Sequence, residues 1–544
     1  MRRVLALTLL AACGGSGDDA PIGSITAAVT HYDYAFDLDS RLAHASVTAT
    51  VSVAGDCLSL PFRADGLDPA TVTLDGAPAV SATVASGALV VCGDGHREGD
   101  TLVLAVDVTI PERTLSTSQV GYSVRQDLAG NPFYYLVSWV GGCDQFGPCD
   151  NRPDQFATYT FHVSHPAAFD VRCPGTITEV SETETQCDFT HAGGPTYSTF
   201  GVAAYPAWTQ TSQGQWGSVA VTLYDRTATR IAEAIDPAYH NGFVTFMEST
   251  FGAFPFGSEL RVLTAPTYWS GFEHPGNIVL DDRLASGTSA YAQPVAHVLD
   301  HEIAHQWAGD QTTIADTYDF VWKESMAEYL AYIYEDTVDP AVALKTAIAW
   351  KGFSNGAGFF PVPAEKPALF DYYGDVYGPG PMILFRQIEV LSSRAQVIAA
   401  LQSVLGQPRA LSVDELVAAL ETSTGLALAD YAAAWIYGTG APDWPEFTTT
   451  FTAGAGTSTL SIVQTNPSNR TCKFHVALVG ASSEQTNVEV DTFHNGTTQT
   501  LTVPTPAYTV TRVDLDPLRE CLVFPKLGTV ARRVGHPWVG QHSR

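Results

Sequence analysis

His301, Glu302 and His305 stand in the order His-Glu-x-x-His, and Glu324 follows His305 after eighteen intervening residues. Residues four apart on a helix lie one above the other, so a helix over 294–307, with Pro294 at its start, would bring the imidazoles of His301 and His305 together. Two neutral imidazoles so placed can chelate a divalent ion. A catalytic zinc takes three protein ligands and leaves a position for water, and Glu324, in a second helical pattern over 322–330, is the third donor. The spacing therefore predicts one Zn2+ held by His301, His305 and Glu324. Apolar Ile303, Ala304 and Trp307 around the pair fit a buried ligand helix better than a helix with two surface histidines. His297, one turn before His301, is a rival ligand by position, although helical drift favours a surrounding or surface place for it. Glu328, one turn after Glu324, is either a hydrogen-bond acceptor for a ligating imidazole or a solvated helix carboxylate.

An ion of this kind lowers the pKa of bound water, but attack on an amide also needs a base for the proton and a donor for the developing oxyanion. Glu302, beside the first ligand, is placed for the first task. A tyrosine hydroxyl suits the second, and the chain has 22 tyrosines. Upstream of the motif, Trp269-Ser270-Gly271-Phe272-Glu273-His274-Pro275-Gly276 joins a carboxylate to flexible glycines. As a strand edge near the metal it would let Glu273 bind a substrate's free α-amine; otherwise it is a surface turn with an incidental carboxylate. Trp269 and Phe272 are the aromatic side chains best placed to touch a substrate.

The elements that must position these residues are spread over 544 residues, more than one ordinary core, and two to four domains are expected. Hydrophobic residues make up 45% and charged residues 16%, while a formal charge of −29 would repel phosphates and excludes a nucleic-acid partner. Met1-Arg2-Arg3, an apolar run and Leu10-Ala11-Ala12-Cys13 read as an export signal with a lipoprotein cleavage site, followed by a Gly/Ser/Asp tether, so that residues 1–19 would be signal and tether and Cys13 the lipidated terminus. The remaining eight cysteines are an even set in a chain bound for an oxidising space. Their clustering suggests the pairs Cys57 with Cys92, Cys143 with Cys149, Cys173 with Cys187, and Cys472 with Cys521.

Residues 20–205 alternate in short runs, such as Val47-Thr48-Ala49-Thr50-Val51-Ser52-Val53 and Leu102-Val103-Leu104-Ala105-Val106-Asp107-Val108, and predict a β domain. Over 206–445 the period lengthens, with helices expected around 227–234, 294–307, 321–335 and 413–420, and this largely helical part carries the zinc motif. Residues 446–544 return to alternation, as in Phe474-His475-Val476-Ala477-Leu478-Val479, and predict a small β-sandwich. The fold class is thus multidomain α+β.

These motifs together resemble the membrane alanyl aminopeptidase family of zinc metallopeptidases, the gluzincins that include aminopeptidase N and leukotriene hydrolase. The likeness rests on His301, Glu302, His305 and Glu324, on the continuation His305-Gln306-Trp307-Ala308-Gly309-Asp310, and on segments well outside the motif. Pro148-Cys149-Asp150-Asn151-Arg152-Pro153 resembles the family's Pro-Cys-x-Asp-x-Pro turn, with Asn151 in place of the Asp. Pro195-Thr196-Tyr197-Ser198-Thr199-Phe200 resembles the end of its β domain, and Trp435-Ile436-Tyr437-Gly438-Thr439-Gly440-Ala441-Pro442 its closing segment.

The resemblance implies a thermolysin-like catalytic domain between an N-terminal β domain and a C-terminal β-sandwich, and an aminopeptidase acting on peptides with a free N-terminus. By it Glu273, with Gly271 and Phe272, matches the amine-binding Gly-x-Met-Glu-Asn motif, with Ser270, Phe272 and His274 departing from the pattern. Tyr377 takes the place of the oxyanion-stabilising tyrosine, with Tyr372 and Tyr373 close by and Pro379 where the family has a Lys. Lys323 and Ser325 flank Glu324 where the family usually has Asn and Gly. The large helical domain that encloses the site in many relatives has no counterpart after the sandwich, which leads to the expectation of an open site accepting longer peptides. Two rivals remain: another zinc hydrolase on the same scaffold, such as an endopeptidase or an epoxide hydrolase, and a non-catalytic surface binding protein. The expected location is a bacterial cell-envelope membrane, at the periplasm or cell surface.

Overall fold

A computed structural model describes residues 23–112, 121–126, 130–267, 269–287 and 294–526. The signal and lipid site at Cys13 lie outside the described residues. In the N-terminal part the alternating runs form, among the described residues, an eight-stranded sheet. Thr26–Asp37 runs at its middle, antiparallel to Leu42–Val53 and parallel to Phe156–Ser164. Period-2 alternation sends Tyr32, Tyr34 and Phe36 to the buried face, where they stack on one another and reach Tyr159, Phe161 and Phe200. All four expected disulfides form.

A second sheet joins this core to the next. On the antiparallel pair Pro132–Val137 and Gly201–Tyr205, Tyr134, Leu136, Val202 and Ala204 face the N-terminal core. Their sequence neighbours Phe133, Tyr135, Val137, Ala203 and Tyr205 belong to the catalytic core. One pleat therefore serves two cores.

The middle part, which carries the His-Glu-x-x-His motif, opens not on helices but on a sheet of five strands among the described residues. Their spatial order is Thr209–Trp216, Val219–Asp225, Glu259–Ala265, Asn277–Asp281, Gly271–Phe272. The three central strands are parallel, and the short edge strand runs antiparallel to its neighbour. Leu260, Val262, Leu263 and Ala265 are all buried, so this segment shows the continuous apolar run of a strand covered on both faces rather than alternation.

The helix expected at 227–234 shrinks to Ile231–Ala234, because Ala228 and Arg230 take left-handed backbone conformations that an α-helix excludes. The motif helix is Val295–Ala304, with Pro294 just before it, and the Glu324 helix is Phe320–Val338. Val413–Thr424 extends the last expected helix. Two further helices, Pro237–Phe251 and Pro340–Ser354, each start from an Asp side chain that accepts a first-turn N–H, followed by Pro.

The C-terminal strands form sheets of four and three strands among the described residues. Their apolar side chains are continuous with the catalytic core. At this junction the Lys351 ammonium donates to Asp516, a carboxylate with no exposed surface that also accepts the backbone N–H of Glu520. Removing one partner of a buried pair strands the other charge. Lys351→Ala should therefore lower stability by about 3–5 kcal/mol in urea unfolding; a loss under about 1 kcal/mol would mean that solvent already screens the pair.

Candidate active site

The site lies where the motif helix and the Glu324 helix pack against the edge strand Gly271–Phe272. His301 Nε2 and His305 Nε2 are 3.0 Å apart, and Glu324 Oε2 is 3.3 Å from the first and 3.5 Å from the second. A tetrahedral ion with bonds of about 2.0–2.1 Å separates its ligand atoms by roughly 3.3 Å, so the three donors fit one ion. Two imidazoles and a carboxylate suit zinc.

The donors are aimed by their neighbours. His305 Nδ1 donates to the Ala308 carbonyl at 3.0 Å, which leaves Nε2 facing the other ligands. His301 Nδ1 lies 3.2 Å from Glu328 Oε1. Glu328 Oε2 in turn accepts from Trp350 Nε1 at 2.7 Å and meets His297 Nε2 at 3.2 Å, while His297 Nδ1 faces Glu335 at 2.8 Å. Glu328 is thus a buried partner of a ligand, and His297 supports that partner rather than lying at the surface or entering the ligand set. Burial pushes the His297 imidazole toward neutrality, but Glu328 and Glu335 overcome this and raise its pKa well above the ordinary value. Glu328 would be raised by burial, yet its histidine neighbours hold it well below the usual carboxylate range.

Glu302 points at the edge strand. A Cβ at Gly271 would stand 2.3 Å from Glu302 Oε1, so only glycine lets the strand approach this carboxylate so closely. Burial, with Glu273 and Glu324 nearby, raises the Glu302 pKa to about 8 against the attraction of His301. Glu273 is fixed through its backbone: its carbonyl accepts from Gln306 Nε2 at 3.2 Å, and Gln306 Oε1 accepts the Gly276 N–H at 2.7 Å. His274 donates from Nδ1 to the Ser198 carbonyl at 2.6 Å and faces the Tyr135 hydroxyl at 3.1 Å. Burial lowers its pKa to about 4, which suits a neutral strut behind the strand.

The Tyr377 hydroxyl donates to Glu324 Oε2 at 2.6 Å and lies 2.6 Å from the Tyr373 hydroxyl. Tyr372, by contrast, donates to the Pro361 carbonyl away from the ligands. Trp139 arrives from the N-terminal part, with ring centroids 5.8 Å from Trp269 and 5.3 Å from Tyr373. Together with Phe272 these aromatics line a cavity of about 20 Å³ over the donors.

All eight site residues expected from sequence, His301, Glu302, His305, Glu324, Glu273, Gly271, Phe272 and Tyr377, line this one cavity. Lys323 and Trp139 were not expected there, and Tyr373, expected only as a neighbour of Tyr377, lines the cavity beside it. Lys323 carried a signal in its position beside a ligand, whereas no spacing in the chain connects Trp139 to the motif.

A buried donor triad, a carboxylate beside it and a cleft at a sheet edge make a site that can hold a metal ion and a base together. Residues 241–356, which carry the donor triad, Glu302 and Glu273, match the Peptidase family M1 domain. The fold is shared with solved structures at low identity. Aminopeptidase A of Legionella pneumophila in complex with aspartic acid has a TM-score of 0.70 at 14% identity, covering 94% of this chain. This chain spans 61% of that protein's length. A mutant M1 zinc metallopeptidase of Deinococcus radiodurans bound to a Tyr-Ser-Ala substrate has a TM-score of 0.61 at 20% identity, covering 77% of this chain and 96% of its own. A two-domain M1 zinc metallopeptidase mutant bound to L-tryptophan has a TM-score of 0.62 at 20% identity, with the same coverage.

Partners that orient a ligating imidazole are worth about 10–100-fold in metal affinity. Glu328→Gln should weaken zinc binding by about that factor in chelator competition; an unchanged affinity would reduce Glu328 to a packing role.

Proposed function

We propose that the protein is a zinc-dependent aminopeptidase that removes N-terminal residues from peptides. The observation that carries this reading is the convergence of the donor triad, Glu302 and Glu273 on one cavity. A single base beside an ion would serve any amide hydrolase, whereas a second carboxylate at the edge strand gives a site for an α-ammonium. The aspartic acid, tryptophan and tripeptide in the three structural neighbours support the same substrate class.

When bound, zinc supplies a water of lowered pKa and polarises the scissile carbonyl. In our reading Glu302 accepts the proton of the attacking water and returns it to the leaving nitrogen. Tyr377 turns its hydroxyl from Glu324 toward the developing oxyanion, with Tyr373 steadying that hydroxyl. Glu273 holds the substrate's amine, Gly271 allows the strand and Glu302 to meet, and Phe272 with Trp269 walls the first residue's side chain.

The second reading, an endopeptidase or other hydrolase on this scaffold, is favoured by one observation: Glu273 already has a cationic partner in Lys323. Aminoacyl amides separate the two. Release should vanish with a chelator and return with zinc, and Glu302→Gln should lower kcat by about 10²–10⁴. Tyr377→Phe should lower kcat by about 10²–10³ with little change in KM. N-acetylation of the substrate should reduce kcat/KM. Equal turnover of acetylated and free substrates would sink the aminopeptidase reading in favour of the endopeptidase, and no turnover at all would favour a binding protein.

We also infer export and lipid anchoring at Cys13 from the residues around it. The disulfides fit an oxidising compartment, outside the cytoplasm. Membrane fractionation should find Cys13→Ser in the soluble fraction, and retention of that variant with membranes would refute the anchor.

A further inference from the structure

Lys323 immediately precedes the ligand Glu324, and its side chain is only 1% exposed. Its ammonium lies 2.8 Å from Glu273 Oε1 and 2.8 Å from Glu324 Oε1. Aromatic faces make up much of its remaining surroundings, with the Phe320 ring at 5.2 Å and the Tyr197 ring at 5.9 Å. Gly309 leaves room for the stem, since a Cβ there would stand 2.9 Å from Lys323 Cε. The two oxygens of Glu324 are divided: Oε2 faces both imidazoles and Tyr377, and Oε1 faces Lys323. The carboxylate assigned above to the substrate's amine therefore already holds a primary ammonium, the same chemical group that an incoming N-terminus would present.

We propose that Lys323 is a specificity-determining residue that occupies the α-ammonium position on Glu273, so that a free-amine substrate binds against a resident like charge. The proposal rests on the reading of Glu273 as the amine anchor. Two ammonium groups on one carboxylate repel each other strongly where water is excluded, and the side chains of Lys323 and Glu273 are both buried, which leaves little solvent to screen them. A blocked, uncharged N-terminus meets no such repulsion. Lys323 thus narrows the preference for free over blocked substrates and holds turnover of free-amine substrates below what the rest of the site would support.

The test compares zinc-loaded wild type and Lys323→Asn, at matched zinc content, on L-alanine p-nitroanilide and its N-acetyl derivative. Lys323→Asn should raise kcat/KM for the free amine at least about tenfold, mainly through KM, and leave the acetylated substrate within about twofold. In a Glu273→Gln background the same change should give no gain. Calorimetric titration of L-leucine amide into Glu302→Gln, with and without Lys323→Asn, should show tighter binding by a similar factor, and N-acetyl-L-leucine amide should show none. An unchanged or falling free-to-blocked ratio, or a gain that persists without the Glu273 carboxylate, overturns the proposal. Should Lys323→Asn fail to fold by thermal melting, Lys323→Gln, which keeps a donor toward both carboxylates, takes its place with the same expected outcomes. Should no form release an N-terminal residue, the aminopeptidase reading falls and the titration decides alone: about tenfold tightening sustains the role of Lys323, and no change ends it.

Discussion

Everything at this site depends on keeping negative charge dry. Glu273, Glu302, Glu324 and Glu328 are all buried within one small region, and carboxylates removed from water need cations or protons to offset the loss of hydration. The protein supplies them in order of distance from the reacting centre. The donor triad is built for an ion, Lys323 joins Glu324 to Glu273, and His297 sits between Glu328 and Glu335. Glu302 is the exception: burial, with Glu273 and Glu324 nearby, raises its pKa to about 8 against the attraction of His301. A group placed so can exchange a proton, which the tightly paired carboxylates cannot do as readily.

The ligand set was legible in the sequence because the helical period alone brings positions 301 and 305 together, and a second helix start downstream leaves few candidates for the third donor. The edge strand was legible in part, through a carboxylate set among glycines. The role of Lys323 was not, because whether a residue next to a ligand points at the metal side or at the strand depends on how two helices and a sheet meet. Trp139 was invisible for a similar reason: it reaches the cavity only through the pairing of Pro132–Val137 with Gly201–Tyr205.

Among the larger elements, the half-buried strands of the N-terminal part announced themselves by alternation. The central strands of the catalytic sheet did not, since both of their faces are covered and their sequences read as plain apolar runs. The helix expected at 227–234 failed on local backbone geometry at Ala228 and Arg230, where neither residue type signals a left-handed conformation as glycine would. The Asp-Pro starts of Pro237–Phe251 and Pro340–Ser354 were readable, and the weak apolar periodicity after them hid the helices.

The strand pair that feeds both cores also sets the terms of access. Trp139 lies two residues past the end of Pro132–Val137, so this wall of the cavity is carried by a sheet whose opposite face is locked into the N-terminal core. Whatever enters the site meets a wall held from behind by tyrosines and phenylalanines far from the donor triad, so that the shape of the cleft is written into the packing of a β-sheet on its other face.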